Sequence, residues 1–175
     1  MVGDTESLIA LVSNSVNHEI SSVAESAEAE EAMWYPILRF TALGFTMGLQ
    51  KDCIWVLEAK NGLYILDSLD RFWRLVSLLE QPLNEIKKEV TAFLENLGVA
   101  INPYDFFPFV EVTHAGFMFG TKYWAELAFN WYVEMPPEKK VYFKEVLAKT
   151  EYAKWASQKL RQVARKELKI LNGFK

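Results

Sequence analysis

The sequence predicts an all-α fold, a compact single-domain bundle of about eight helices with a loosely HEAT-like arrangement of its last helices. Three observations lead there. Apolar residues recur at three- and four-residue spacing along most of the chain. Pro, Asn and Thr stand where helix starts are expected, and Gly follows at the stops. Of the 175 residues 51% are hydrophobic and 14% aromatic, with 24% charged. That balance builds a buried core rather than a disordered chain.

Residues 5–16 and 18–32 read as two helices, the second with Ile20, Val23, Ala27 and Glu31 at helical spacing. The segment 33–50 is far more apolar, and Gly44 and Gly48 are four apart, which suits a buried helix closely approached by another. Residues 52–67 admit two readings. Asn61-Gly62 between β-branched and aromatic runs signals a β-hairpin over 53–67. Asp52 as N-cap and Gly62 as stop signal a short helix, and this is preferred because the surroundings read as helical. From Asp67 to Glu80 the spacing is helical again. Pro82 opens the next helix and Gly98 closes it. Asn102-Pro103, Pro108, Thr121 and Pro136-Pro137 mark further starts, and Thr150 is expected to cap the last helix, 150–171.

Charge divides the chain. Residues 1–32 hold seven acids and no Lys or Arg, whereas residues 138–175 hold eleven Lys/Arg against four Glu. We therefore expect an acidic N-terminal helical segment, 1–32, and a main helical domain, 33–175, with one core and a basic amphipathic helix at its end. A single Cys, Cys53, forms no intramolecular disulfide, and the first residues carry acids where an export signal carries cations. The longest apolar run, 33–49, contains Arg39. A cytoplasmic protein without a transmembrane segment is expected.

Chemistry-bearing residues are few. Glu111 and His114 are three apart in "DFFPFVEVTHAGFMFG" and share one face of a helix, the spacing used in helical carboxylate-bridged metal sites. Such sites need the motif twice, and the other His, His18, has Ser15 rather than Glu three places before it, so the full set cannot be built. Polar stitching of an aromatic core is the preferred account, with an aromatic-lined ligand pocket around 104–132 (Glu111, His114, Arg39 and Trp124) as the alternative. One Cys and two His cannot supply a dedicated zinc site, and no glycine pattern matches a phosphate loop. No metal and no cofactor is expected. Glu25, Glu28 and Glu31, with Asp67 and Asp70, read as solvated acidic faces.

The last helix carries the sharpest pattern. At about 100° per residue, Ala153, Ala156, Leu160, Val163, Ala164 and Leu171 form an apolar face. Lys154, Arg161, Arg165 and Lys169 line the other side, widened by Lys159 and Lys166, and Glu167 falls on the apolar face, where it needs a partner. No enzyme class finds enough residues in the right places. The sequence favours a non-enzymatic interaction module, an adaptor, regulator or inhibitor, that meets an acidic protein surface through the basic helix, with a homo-oligomer as a further expectation. Direct binding of nucleic acid is disfavoured by the net charge of −4 and the lack of a second basic element.

Overall fold

The computed structural model describes residues 19–20 and 33–173. The chain divides into two compact units, one comprising residues 1–71 and 86–107 and the other residues 72–85 and 108–175. It overturns the all-α expectation. An antiparallel sheet precedes the helices, and the described residues hold seven α-helices, not eight.

The first unit is built on the sheet. Strands β1 (Glu19–Ile20), β2 (Met33–Phe40), β3 (Phe45–Gln50), β4 (Trp55–Ala59) and β5 (Gly62–Leu66) lie side by side in chain order, each antiparallel to the next. The buried helix expected over 33–50 is thus a pair of strands. They are joined by a 3-10 turn, Thr41–Leu43, and by Gly44, whose φ of 75° lies in the left-handed region that glycine favours. The cause is legible afterwards: Phe45 to Leu49 are all buried, so β3 is covered on both faces and shows no alternation. A continuous apolar run cannot be assigned to helix or strand by period alone.

The helix preferred for 52–67 is likewise replaced by a hairpin. Ala59 pairs with Gly62 around the two-residue connection Lys60-Asn61. Gly62 has φ 139°, a conformation closed to L side chains. Gly48 does permit close approach, as its spacing suggested, but to a neighbouring strand. A Cβ there would collide with the Tyr35 carbonyl oxygen and the Trp34 ring. Of the expected helix over 18–32, Glu19 and Ile20 instead pair with Trp34 and Met33. The rest of that segment and the helix placed over 5–16 lie outside the described residues.

Register divides the sheet into two faces. Phe40, Leu38, Met47, Leu49, Leu57 and Trp55 share one, and all are buried. Against it Trp55 sets its ring edgewise to Phe106 and Phe107, at 5.4 and 5.6 Å, and Phe40 meets Phe107 at 6.5 Å. These phenylalanines sit on and just after a one-turn helix, α2 (Pro103–Phe106), that starts as the sequence suggests: Asn102 accepts from the Tyr104 N–H at 3.0 Å, and Pro103 follows it.

A long 3-10 stretch, Leu69–Glu80, and helix α1 (Leu83–Asn96) each begin in one unit and end in the other. Phe72, Leu75 and Leu78 are buried at intervals of three, so the stripe fits the three-residue turn of a 3-10 helix. Gly98, with φ 68°, closes α1 as expected.

The second unit is helical: α3 (Phe109–Met118), α4 (Lys122–Glu134), α5 (Pro137–Lys140), α6 (Lys144–Tyr152) and α7 (Gln158–Gly173). Thr121 caps α4 through the Trp124 N–H at 3.4 Å. Thr150, expected to cap the last helix, is buried inside α6 and donates to the Val146 carbonyl. Ser157 is the cap instead, accepting from the Leu160 N–H at 3.2 Å, so the basic helix spans 158–173 rather than 150–171. No described helix is long and apolar enough to cross a membrane.

Candidate functional site

Arg39 lies exposed on β2. Its register partner is Thr46 on β3, and Thr46 in turn faces Glu58 on β4. Partners in register share a sheet face. The three side chains therefore stand in one row across three strands, on the face opposite Met47 and Leu57. The row floors a cavity of about 400 Å³, lined also by Thr41, Gly44, Phe45, Ala59 and Lys60. Neither Arg39 nor Glu58 nor Lys60 makes an ion pair among the described residues.

Glu111 and His114 are on α3, but no hydrogen bond joins them. Burial pushes the Glu111 carboxyl up, its own backbone N–H and Lys139 opposing. Burial pushes the His114 imidazole down, with Glu145 opposing and Lys149 reinforcing. His114 lies 6.4 Å from the Phe143 ring, and its buried Nδ1 has no hydrogen-bond partner among the described residues. The two groups are thus embedded between α3 and the segment carrying Lys139, Phe143 and Glu145. Arg39, grouped with them by sequence, belongs to the other unit. Among the described residues no set of three His, Cys, Asp or Glu side chains is placed to hold a metal ion. Cys53 sits half-buried in the β3–β4 turn at φ 66°. Burial, then Asp52, raises its thiol pKa, the reverse of what a nucleophile needs.

Trp124 belongs to an aromatic shelf. Its ring meets Phe119 at 5.9 Å and Tyr123 at 4.9 Å, both edge-on. Met118, Phe119 and Tyr123 are largely exposed, and the Tyr123 hydroxyl donates to Glu80 at 2.8 Å. The start of α7 comes close to this shelf. The Ser157 hydroxyl donates to Glu126 at 3.2 Å, and Gly120 lies under the Trp155 indole.

Along α7, Leu160, Ala164, Leu168 and Leu171 are buried. Glu167, the acid on the apolar side, accepts from the Tyr132 hydroxyl at 3.1 Å. Burial and then Glu167 hold that phenol far above its usual pKa. The basic band is rearranged relative to the sequence reading. Lys154 lies in the turn before the helix. Arg165 is bound to Glu151 at 2.7 Å, and Arg161 is half-buried on the same flank. Lys159, Lys166 and Lys169 are exposed and make no ion pair among the described residues.

Sequence reasoning missed the shelf and underweighted Lys159 and Lys166. It also missed Thr46, Glu58 and Lys60, which the hairpin reading of Asn61-Gly62 would have brought beside Arg39. No protein-family model matches the chain, and comparisons with curated proteins and with solved structures find no match either.

Proposed function

We propose that the protein is a non-enzymatic interaction module that binds an acidic protein surface through α7 and the adjoining aromatic shelf. The carrying observation is the division of labour among the cations of α7. Arg165 is committed to Glu151, while Lys159, Lys166 and Lys169 point to solvent on the side away from Leu160, Ala164 and Leu168. Exposed lysines alone describe many surface helices. Here the helix begins beside exposed Phe119 and Tyr123 and half-buried Trp155, large apolar side chains able to anchor a partner once charge has steered it in.

The test pairs two variants, K159E/K166E/K169E and F119S/Y123S. A partner is recovered with the wild-type chain, identified, and rebuilt from purified components. The charge variant should slow association and remove its salt dependence; the shelf variant should speed dissociation. Unchanged binding by both, with melting temperatures equal to wild type, rejects the reading. Sedimentation over a range of concentrations reports whether the partner is a second copy.

A further inference from the structure

We propose that the recess at the turn end of the sheet is a binding site for a small zwitterion, its carboxylate held by Arg39 and Lys60 and its ammonium group by Glu58. This is independent of the α7 surface. Arg39 and Glu58 occupy one cross-strand row with Thr46 between them. They are two strand spacings apart, about 10 Å between backbones. Neither is ion-paired among the described residues, nor is Lys60. The short side chain of Thr46 leaves space between the two charges, and its hydroxyl has no hydrogen-bond partner among the described residues.

Further along the same face the sheet is closed, because Trp34 covers Gly48 and Val56 is fully buried. The cavity is therefore bounded on that side and confined to the end formed by Thr41, Gly44 and Lys60. At about 400 Å³ it has the size of small-molecule sites.

The arrangement of charge selects the ligand class. A simple anion drawn to Arg39 and Lys60 meets the Glu58 carboxylate. A simple cation drawn to Glu58 meets two positive groups. A molecule carrying a carboxylate at one end and a primary ammonium at the other makes charge-assisted hydrogen bonds at both ends.

The test is a 1H–15N NMR titration of the full chain with glycine, β-alanine and γ-aminobutyrate, each against its matched carboxylate: acetate, propionate and butyrate. At least one amino acid should bind about tenfold more tightly than its partner, the value of one charge-assisted hydrogen bond. The shifts should centre on Arg39, Thr46, Glu58 and Lys60. Glu58→Gln should erase that preference while carboxylate binding survives, and Arg39→Gln should abolish binding of both. Thr46→Val, which keeps the shape, should weaken binding of the amino acid without unfolding the sheet. The proposal is overturned by equal affinity for amino acid and carboxylate, by a preference that persists in Glu58→Gln, by shifts spread over surface lysines, or by no saturable shift at millimolar ligand.

Discussion

The sheet unit and the helical unit each bury a cluster of aromatic rings, but assemble it from different distances along the chain. In the sheet unit, Trp55 meets Phe106 and Phe107, and Phe40 meets Phe107, partners that lie more than fifty residues later. In the helical unit, Phe117 and Tyr132 each meet Phe143, at 6.2 and 5.3 Å, within about twenty-six residues of chain. The first cluster depends on register across strands, the second on helical faces already periodic in the sequence. Long-range pairing leaves little local trace, and the sheet is where local reading failed.

Removing one ring from each cluster gives the largest effects. Phe107→Ala and Phe143→Ala each empty a fully enclosed site and should cost about 3–5 kcal/mol, read from urea midpoints. If the clusters differ only in how they are assembled, the two losses should be similar. A loss under about 1 kcal/mol at either position would mean that cluster tolerates collapse and is not a core.

Two glycines sharpen the contrast. A Cβ at Gly48 would strike the Tyr35 carbonyl oxygen, which is backbone held in the ladder, as well as the Trp34 ring. At Gly116 on α3 it would strike the movable end of Leu79 and approach Ala128 Cβ at 2.9 Å. Gly48→Ala should therefore cost about 3 kcal/mol or more, near the upper end for overpacking. Gly116→Ala should cost about 1–3 kcal/mol, because Ala128 Cβ and the Trp124 carbonyl oxygen at 3.3 Å belong to the α4 turn and cannot swing aside as Leu79 can, while alanine's helix preference offsets part of the clash. The reverse order would show that the strands yield more easily than the helices.

How legible each unit was follows from these residues. Asn102-Pro103, Thr121, Pro136-Pro137 and Gly98 are local signals satisfied within one turn of backbone, and the structure uses each as the sequence suggests. Glu167 could be flagged from the helical projection alone, and Tyr132 supplies its partner. The strands offered one such signal, Asn61-Gly62 at the β4–β5 hairpin, which the helical reading of its surroundings outweighs; β2 and β3 offered none, since β3 is apolar on both faces and the Gly44 and Gly48 spacing mimics a helix contact. Thr150 failed as a cap because a Thr within a helix can satisfy its hydroxyl on the carbonyl four residues back, as it does on Val146. The candidate site at Arg39 was half visible. The cation stood out, but its neighbours Thr46 and Glu58 are defined by register, which the sequence does not spell out.

The two half-buried titratable groups of α3 predict a pH dependence peculiar to the helical unit. His114 is held below its ordinary value of 6.5, so the unfolded chain takes up a proton first as pH falls. The stability it contributes is present above pH 6.5 and is lost on descending toward the folded value. Glu111 acts in the other direction. Its folded value lies above 4.5, so its contribution is present below that pH and is lost as pH rises through the folded value. His114→Gln should flatten the acid-side loss seen below pH 6.5. Glu111→Gln should be more stable than wild type at neutral pH, the difference closing as pH falls to 4.5. Parallel pH profiles for wild type and both variants would show that neither group carries the dependence.

The smallest effect belongs to Arg165. Its bond to Glu151 joins α7 to α6 at 2.7 Å, yet the guanidinium is more than half exposed while the carboxylate is largely covered. Arg165→Gln should leave the urea midpoint close to that of wild type, because exposed ion pairs gain little after solvent screening and side-chain ordering. The matching change Glu151→Gln should shift it no more, since a neutral amide can still accept from Arg165. A large drop in midpoint for either would place the pair among buried interactions and make α6–α7 docking electrostatic. An unmeasurable loss leaves Leu160, Ala164, Leu168 and Leu171 holding α7 in place, and Lys159, Lys166 and Lys169 then present their charge from a helix fixed by its apolar side.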